Sequence, residues 1–149
     1  MPKSEARELE LRDAIEALFF AYRTFTKEPD SILEKRGLGR VHHRILYFVA
    51  REPELSVTRL LEVLEISKQA LNAPLRQLSE RGLISSVPSS QDRRIRQLTL
   101  TADGKRLETQ LCRTQSELLE KAFDASDKDA EQGWREVMQQ LADRDRRQK

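Results

Sequence analysis

The stretch SKQALNAPLRQL, residues 67–78, sets Lys68, Gln69, Asn72, Ala73 and Arg76 close together. These are the side-chain types that read base-pair edges. Arginine and lysine suit guanine, asparagine and glutamine suit adenine, and alanine can meet a thymine methyl. The same types also make an ordinary solvated helix face, so alone they do not decide. A second group follows in QDRR, where Asp92 precedes Arg93 and Arg94, with Arg96 two residues further on. A projecting arginine can enter a narrow minor groove, where negative potential is strongest. Asp92 would oppose an anionic partner unless it pairs with an arginine and orients it. Otherwise the segment is a polar loop kept charged for solubility.

No other constellation offers chemistry of comparable specificity. The chain has no nucleophile–base arrangement, no paired catalytic carboxylates and no phosphate-binding glycine loop, so an enzyme is not expected. His42 and His43 are adjacent. On a helix they diverge by about 100° and cannot share one metal as an i, i+4 pair would. No metal or cofactor is expected.

The elements that must position these residues follow from periodicity. Leu71, Leu75 and Leu78 recur at helical spacing behind Ser67, a capping residue, and predict a helix over 67–81. With those leucines inward, Gln69, Ala73, Arg76 and Glu80 face out, flanked by Asn72 and Gln77. Pro74 interrupts the pattern at roughly 3 kcal/mol for an interior proline. It lies off the outward face, so the helix is expected to continue with a local bend. Ser56 caps a short helix over 57–63, and only Leu64 to Ile66 separate the two. That is a helix-turn-helix. LISSV (83–87) and IRQLTL (95–100) alternate apolar and polar residues around the charged loop PSSQDRR. Strand, loop and strand form a hairpin, and the whole is a winged helix.

Longer helices flank this core. Leu11, Ile15, Leu18, Phe19, Tyr22 and Phe25 mark one from Ser4 to about Lys27, broken by KEPDS (27–31). Val41, Ile45, Phe48 and Val49 mark another over 40–51, followed by a loop in REPELS (51–56). Thr101 caps a helix reaching about Ala125, lined by Leu107, Leu111, Leu118, Leu119 and Phe123. A last helix after Ser126 carries Trp134, Val137, Met138 and Leu141, and its tail, RDRRQK, is expected to fray. The fold class is mainly α with a small β-hairpin.

The 149 residues have the length of one domain, and 35% of them are charged. Net charge is +2, but unevenly placed: residues 1–37 hold 7 Lys/Arg and 8 Asp/Glu, residues 38–101 hold 10 and 6, and residues 102–149 hold 10 and 11. The basic middle points to a polyanionic partner. No apolar run is long enough to span a bilayer, and the charged start lacks a signal-peptide pattern. One cysteine, Cys112, excludes an internal disulfide and fits a reducing cytoplasm.

LGRVHHRILYFV, the helix-turn-helix over 56–82, DRRIRQLTLTADGKRLE and the flanking helices together resemble the MarR family of winged-helix regulators. The wing carries the most specific part: Asp92-x-Arg94, then Leu100-Thr101, then Gly104. The resemblance covers nearly the whole chain as a single domain, 1–149. It implies dimerisation helices at about 1–37 and 102–149, and a DNA-binding core at about 38–101. It implies a homodimer on double-stranded DNA, with helix 67–81 in the major groove and wing 88–96 in the minor groove. By position, Lys68, Gln69, Asn72, Ala73 and Arg76 read bases. Arg94 enters the minor groove, oriented by Asp92, and Arg93 and Arg96 meet phosphates. Ser56, Thr58 and Ser67 donate to phosphates near helix N-termini.

The resemblance further implies a cytoplasmic transcriptional regulator, a repressor released by a small, often aromatic, effector. One histidine of His42 and His43, with Tyr22, Arg23 or Tyr47, would border an effector cleft; otherwise these side chains simply pack and hydrogen-bond. Two alternatives stand beside this reading. One is a winged helix that binds protein rather than DNA. The other is an oxidant-responsive regulator acting through Cys112, although oxidant sensors of the family carry their cysteine near the N-terminus.

Overall fold

A computed structural model describes residues 4–147. Gln148 and Lys149, the end of the tail expected to fray, lie outside the described residues. The elements in chain order are α1 (Glu5–Glu34), α2 (Arg40–Arg51), β1 (Leu55–Ser56), α3 (Val57–Leu64), α4 (Lys68–Glu80), β2 (Ile84–Pro88), β3 (Arg96–Leu100), α5 (Ala102–Asp124) and α6 (Ala130–Arg147). Two compact units divide the chain, one ending at Thr114 and one beginning at Gln115, and α5 runs from the first into the second.

The caps expected from the sequence are formed. Ser56 Oγ accepts from Arg59 N–H at 3.0 Å and Ser67 Oγ accepts from Ala70 N–H at 3.1 Å. Glu65, in the left-handed conformation at φ 54°, ends α3 and turns the chain into α4. Gly82, at φ 68°, follows the end of α4 where a side chain would be strained. Thr101 Oγ1 accepts from Gly104 N–H at 3.0 Å to open α5, and donates to the carbonyl of Gly82. Gly104 is required by the close crossing of α5 over the chain leaving α4: a Cβ there would overlap the carbonyl oxygen of Leu83.

Two sequence expectations are corrected. KEPDS does not break α1, which continues to Glu34 with Pro29 inside it. Pro29 cannot donate to the carbonyl of Phe25, but Thr26, Pro29 and Leu33 are all buried on one side of the helix. Burying a large apolar side chain such as Leu33 is worth about 1.5–3 kcal/mol and offsets the local cost. REPELS is not wholly a loop either. Leu55 and Ser56 form β1 opposite Leu98 and Gln97, so the hairpin becomes a three-stranded antiparallel sheet of order β1-β3-β2.

The core of the first unit gathers Leu33, Ile45, Leu46, Leu60, Leu71, Leu78, Leu98, Leu107 and Leu111, each at or below 1% exposed. It joins α1, α2, α3, α4, β3 and α5 behind the helix-turn-helix and leaves the outer face of α4 free. On α1, Leu9, Ile15, Leu18, Phe19, Phe20 and Tyr22 are exposed. In the second unit Phe123 meets Trp134 edge-on at 5.4 Å between ring centroids, while Trp134, Val137 and Leu141 stay exposed along α6. Among the described residues no helix is long and apolar enough to cross a membrane.

Candidate nucleic-acid interface

Helix α4 runs unbroken through Pro74, with Leu71 and Leu78 buried and Leu75 packed against the core. Lys68, Gln69, Asn72, Ala73 and Arg76 are not buried in that core: Lys68, Gln69, Asn72, Ala73 and Arg76 lie on the exposed side of the helix. Arg76 approaches Glu80 at 3.8 Å, with both side chains 67% exposed. An ion pair so solvated contributes little, so the guanidinium is available to another partner.

Helix α4 owes its pose to more than leucines. His42, buried at the start of α2, accepts from Gly39 N–H on Nδ1 at 2.9 Å. Its Nε2 lies 2.7 Å from Gln77 Oε1. A nitrogen that accepts carries no proton, so the ring is the neutral Nε2–H form and donates to Gln77. One turn further on, at the C-cap of α4, Arg81 donates to the carbonyl of Arg36. Sequence reasoning missed both contacts. The spacing of Gly39 and His42 was the one available signal, since it matches a capping box.

The wing is closed by its own hydrogen bonds. Ser89 N–H donates to the carbonyl of Ile95 at 2.8 Å, and Ile95 N–H to that of Asp92 at 3.0 Å. Asp92 Oδ1 accepts from the backbone N–H of Arg94 at 3.0 Å and from its Nε at 3.2 Å, while Oδ2 accepts from Nη2 at 3.2 Å. The Arg94 side chain is nonetheless 91% exposed. The side-chain hydrogen bond from Arg94, and after it the backbone one, hold the Asp92 carboxyl below its ordinary value. Arg96 lies along the sheet, donating to Ser86 Oγ at 3.1 Å and to the Ser86 carbonyl at 3.0 Å. Arg93 is exposed beside Arg94.

At the helix N-termini, Ser56 and Ser67 use their oxygens as acceptors, which leaves each O–H proton able to donate outward. Thr58 is exposed in the first turn of α3.

The five residues considered for an effector lie on α1 and α2. Tyr22 and Arg23 are exposed on α1, and the Arg40 guanidinium lies 5.6 Å from the Tyr22 ring centroid. Arg40 also reaches Asp30 at 2.9 Å and Thr26 Oγ1 at 3.3 Å, joining the start of α2 to α1. Tyr47 is exposed on α2 and meets Phe48 edge-on at 5.2 Å. His43 is half-buried, and burial lowers its pKa. His42 is buried with both ring nitrogens engaged. A cleft of about 350 Å³ opens elsewhere, lined by Val49, Pro53, Leu100, Lys105, Glu108 and Thr109. Burial raises the Glu108 pKa. Cys112 is half-buried on α5.

Comparison with known proteins follows the same outline. A family model described as the MarR family matches residues 36–95, from just after α1 to the wing. The HTH-type transcriptional regulator PetP of Rhodobacter capsulatus is 44% identical over 134 residues, covering 90% of this chain and 81% of that protein. Staphylococcus aureus MarR in complex with salicylate and kanamycin superposes with a TM-score of 0.73 at 24% identity, covering 92% of this chain and 93% of that one. A mutant of S. aureus MepR bound to an oligodeoxyribonucleotide gives 0.62 at 17% identity, covering 87% and 96%.

Proposed function

The chain belongs to the MarR family of helix-turn-helix transcriptional regulators, and on that premise we propose that it acts as a cytoplasmic homodimer on a pseudo-palindromic operator. Each α4 enters a major groove through Lys68, Gln69, Asn72, Ala73 and Arg76. Each wing enters the flanking minor groove through Arg94. Arg93, Arg96, Ser56, Thr58 and Ser67 hold the phosphates that fix the register. As a regulator of this family it is not an enzyme.

One observation carries the reading: Arg94 projects into solvent at the wing tip, yet Asp92 fixes its direction. A solubilising loop has no need of a pre-oriented guanidinium. A minor-groove contact does, because holding the side chain beforehand reduces the entropy lost on binding. The MepR mutant structure, a similar fold, is bound to an oligodeoxyribonucleotide.

The exposed apolar side chains of α1 and α6 are the surfaces a second copy would cover, with the chain arranged as one domain whose terminal helices dimerise. Two-fold symmetry then sets half-sites about 10 bp apart. We extend the reading to a repressor released by a small aromatic ligand, by likeness to the MarR complex that holds salicylate. Such a ligand would change the spacing of the two recognition helices and take them out of register with the grooves.

Selection of bound duplexes from a random DNA pool, repeated with aromatic acids present, tests this. A two-fold symmetric consensus is expected, bound with a log–log salt slope near −0.9 per phosphate contact. Failure to enrich any sequence would reject the regulator reading in favour of a protein-binding winged helix.

A further inference from the structure

We propose that His42 is a positioning residue for DNA recognition, fixing the pose of α4 through Gln77 and doing so only as the neutral Nε2–H imidazole. This rests on the reading of α4 as the recognition helix. Leu71 and Leu78 bury one side of α4, but apolar contacts are non-directional and leave its rotation and slide loosely set. Directional contacts remove that freedom. Gln77 on α4 and Arg81 at its C-cap stand one turn apart and reach the same segment, the corner between α1 and α2: Gln77 meets His42, and Arg81 meets the Arg36 carbonyl. The corner is itself held to α1, since Arg40 binds Asp30 and Thr26. The rear half of α4 is therefore fixed to α1 and α2, while Lys68, Gln69, Asn72, Ala73 and Arg76 face outward.

His42 is the member of this set whose hydrogen bonding depends on one proton. Its Nδ1 accepts from Gly39 N–H, and its Nε2 donates to Gln77 Oε1. A proton added to Nδ1 would set two donors against each other in a buried space. The contact with Gly39 would open, the ring would turn, and the Gln77 bond would be strained or lost. Asp30 of α1 is paired with Arg40 of α2, Arg81 at the end of α4 is on the Arg36 carbonyl, and His43 and Arg44 follow on α2. Neither ring nitrogen of His42 is directed at a carboxylate that would welcome the proton, since their partners are an amide N–H and an amide oxygen.

Glutamine at position 42 is the informative substitution. Its carbonyl can accept from Gly39 N–H as in an ordinary capping box, its amide can donate toward Gln77, and it does not titrate. The test measures affinity for a duplex recovered by random-pool selection, at constant ionic strength, from about pH 8 to about pH 5.5. Wild-type affinity should fall about tenfold on acidification, as expected for loss of one partly buried hydrogen bond. His42→Gln should bind within about threefold of wild type at the upper pH and stay flat across the range. A flat wild-type profile, or an equal decline in His42→Gln, overturns the proposal.

Nitrogen-15 NMR of the wild-type chain provides a readout independent of DNA and of any variant's folding. His42 should show a protonated Nε2 and an unprotonated Nδ1 at the upper pH. Acidification should deprotect the Gly39 amide together with amides of α4. The opposite tautomer, or α4 amides indifferent to the loss of Gly39 protection, overturns the positioning role. Should no duplex bind, the DNA reading fails, and the same spectra still decide whether His42 holds α4.

Discussion

Arg94 grips the carboxylate that precedes it by two residues: Nε and Nη2 each lie 3.2 Å from an oxygen of Asp92, whose Oδ1 also accepts the Arg94 backbone N–H. The wing thus supplies both the guanidinium and the group that aims it. Arg94→Ala should strongly weaken binding to a duplex recovered by selection and leave the oligomeric state unchanged by sedimentation. Asp92→Asn should weaken binding less, because the arginine remains but loses its fixed direction. Unchanged affinity in Arg94→Ala would remove the wing from the interface.

The same pair has a defined pH response. Asp92 titrates below its ordinary value of 3.8, first because of the Arg94 side chain and then because of the Arg94 backbone N–H. For a carboxyl lowered in the folded state, the stabilisation is present above the ordinary value and is lost as pH falls through the lowered one. Asp92 should therefore stay ionised throughout the imidazole range. A carboxyl-detected NMR titration of Asp92 should show its midpoint below 3.8, moving upward in Arg94→Ala. Acid sensitivity of DNA binding within the imidazole range then belongs elsewhere than this pair.

Arg76 is exposed on α4, with Glu80 as a weak partner at 3.8 Å. If Arg76 reads a guanine, Arg76→Ala should relax preference at that base pair by about 1–3 kcal/mol and spare the others. Repeating the pool selection with the variant checks this. A uniform loss across all sequences, with a shallower salt slope, would make Arg76 a phosphate contact instead.

Gly104 lies where α5 crosses the chain leaving α4, against the Leu83 carbonyl. Gly104→Ala should destabilise the fold by about 3 kcal/mol, at the upper end of over-packing costs. Chemical denaturation gives the value directly. Gly133→Ala, where an added Cβ meets nothing within 4 Å, is the control and should not destabilise.

Ile15 and Phe19 are 69% and 61% exposed, one turn apart on α1. Covered by a second copy, they would tolerate no charge. The double substitution Ile15→Glu, Phe19→Glu should convert a dimer into monomers in sedimentation equilibrium, with helical content largely kept. A dimer that survives would place the interface elsewhere.

The elements around α4 and the wing were legible in the sequence because their signals are local. Ser56, Ser67 and Thr101 cap the helices they precede; Leu71 and Leu78 repeat at helical spacing; Gly82 follows the end of α4. Such features depend on residues a few positions apart, and the Asp92–Arg94 pair spans only two. Tertiary structure decided the rest. Pro29 reads as a break until Leu33 and the core are seen to bury that side of α1. Leu55 and Ser56 read as loop because a two-residue strand has no period, and only Leu98 and Gln97 give it a partner. His42 reads as an effector contact or as a packed side chain, and its hydrogen-bond partner on α4, Gln77, lies 35 residues away. Composition and spacing place a side chain on a face. Which distant group completes its hydrogen bonds is settled only when the faces meet.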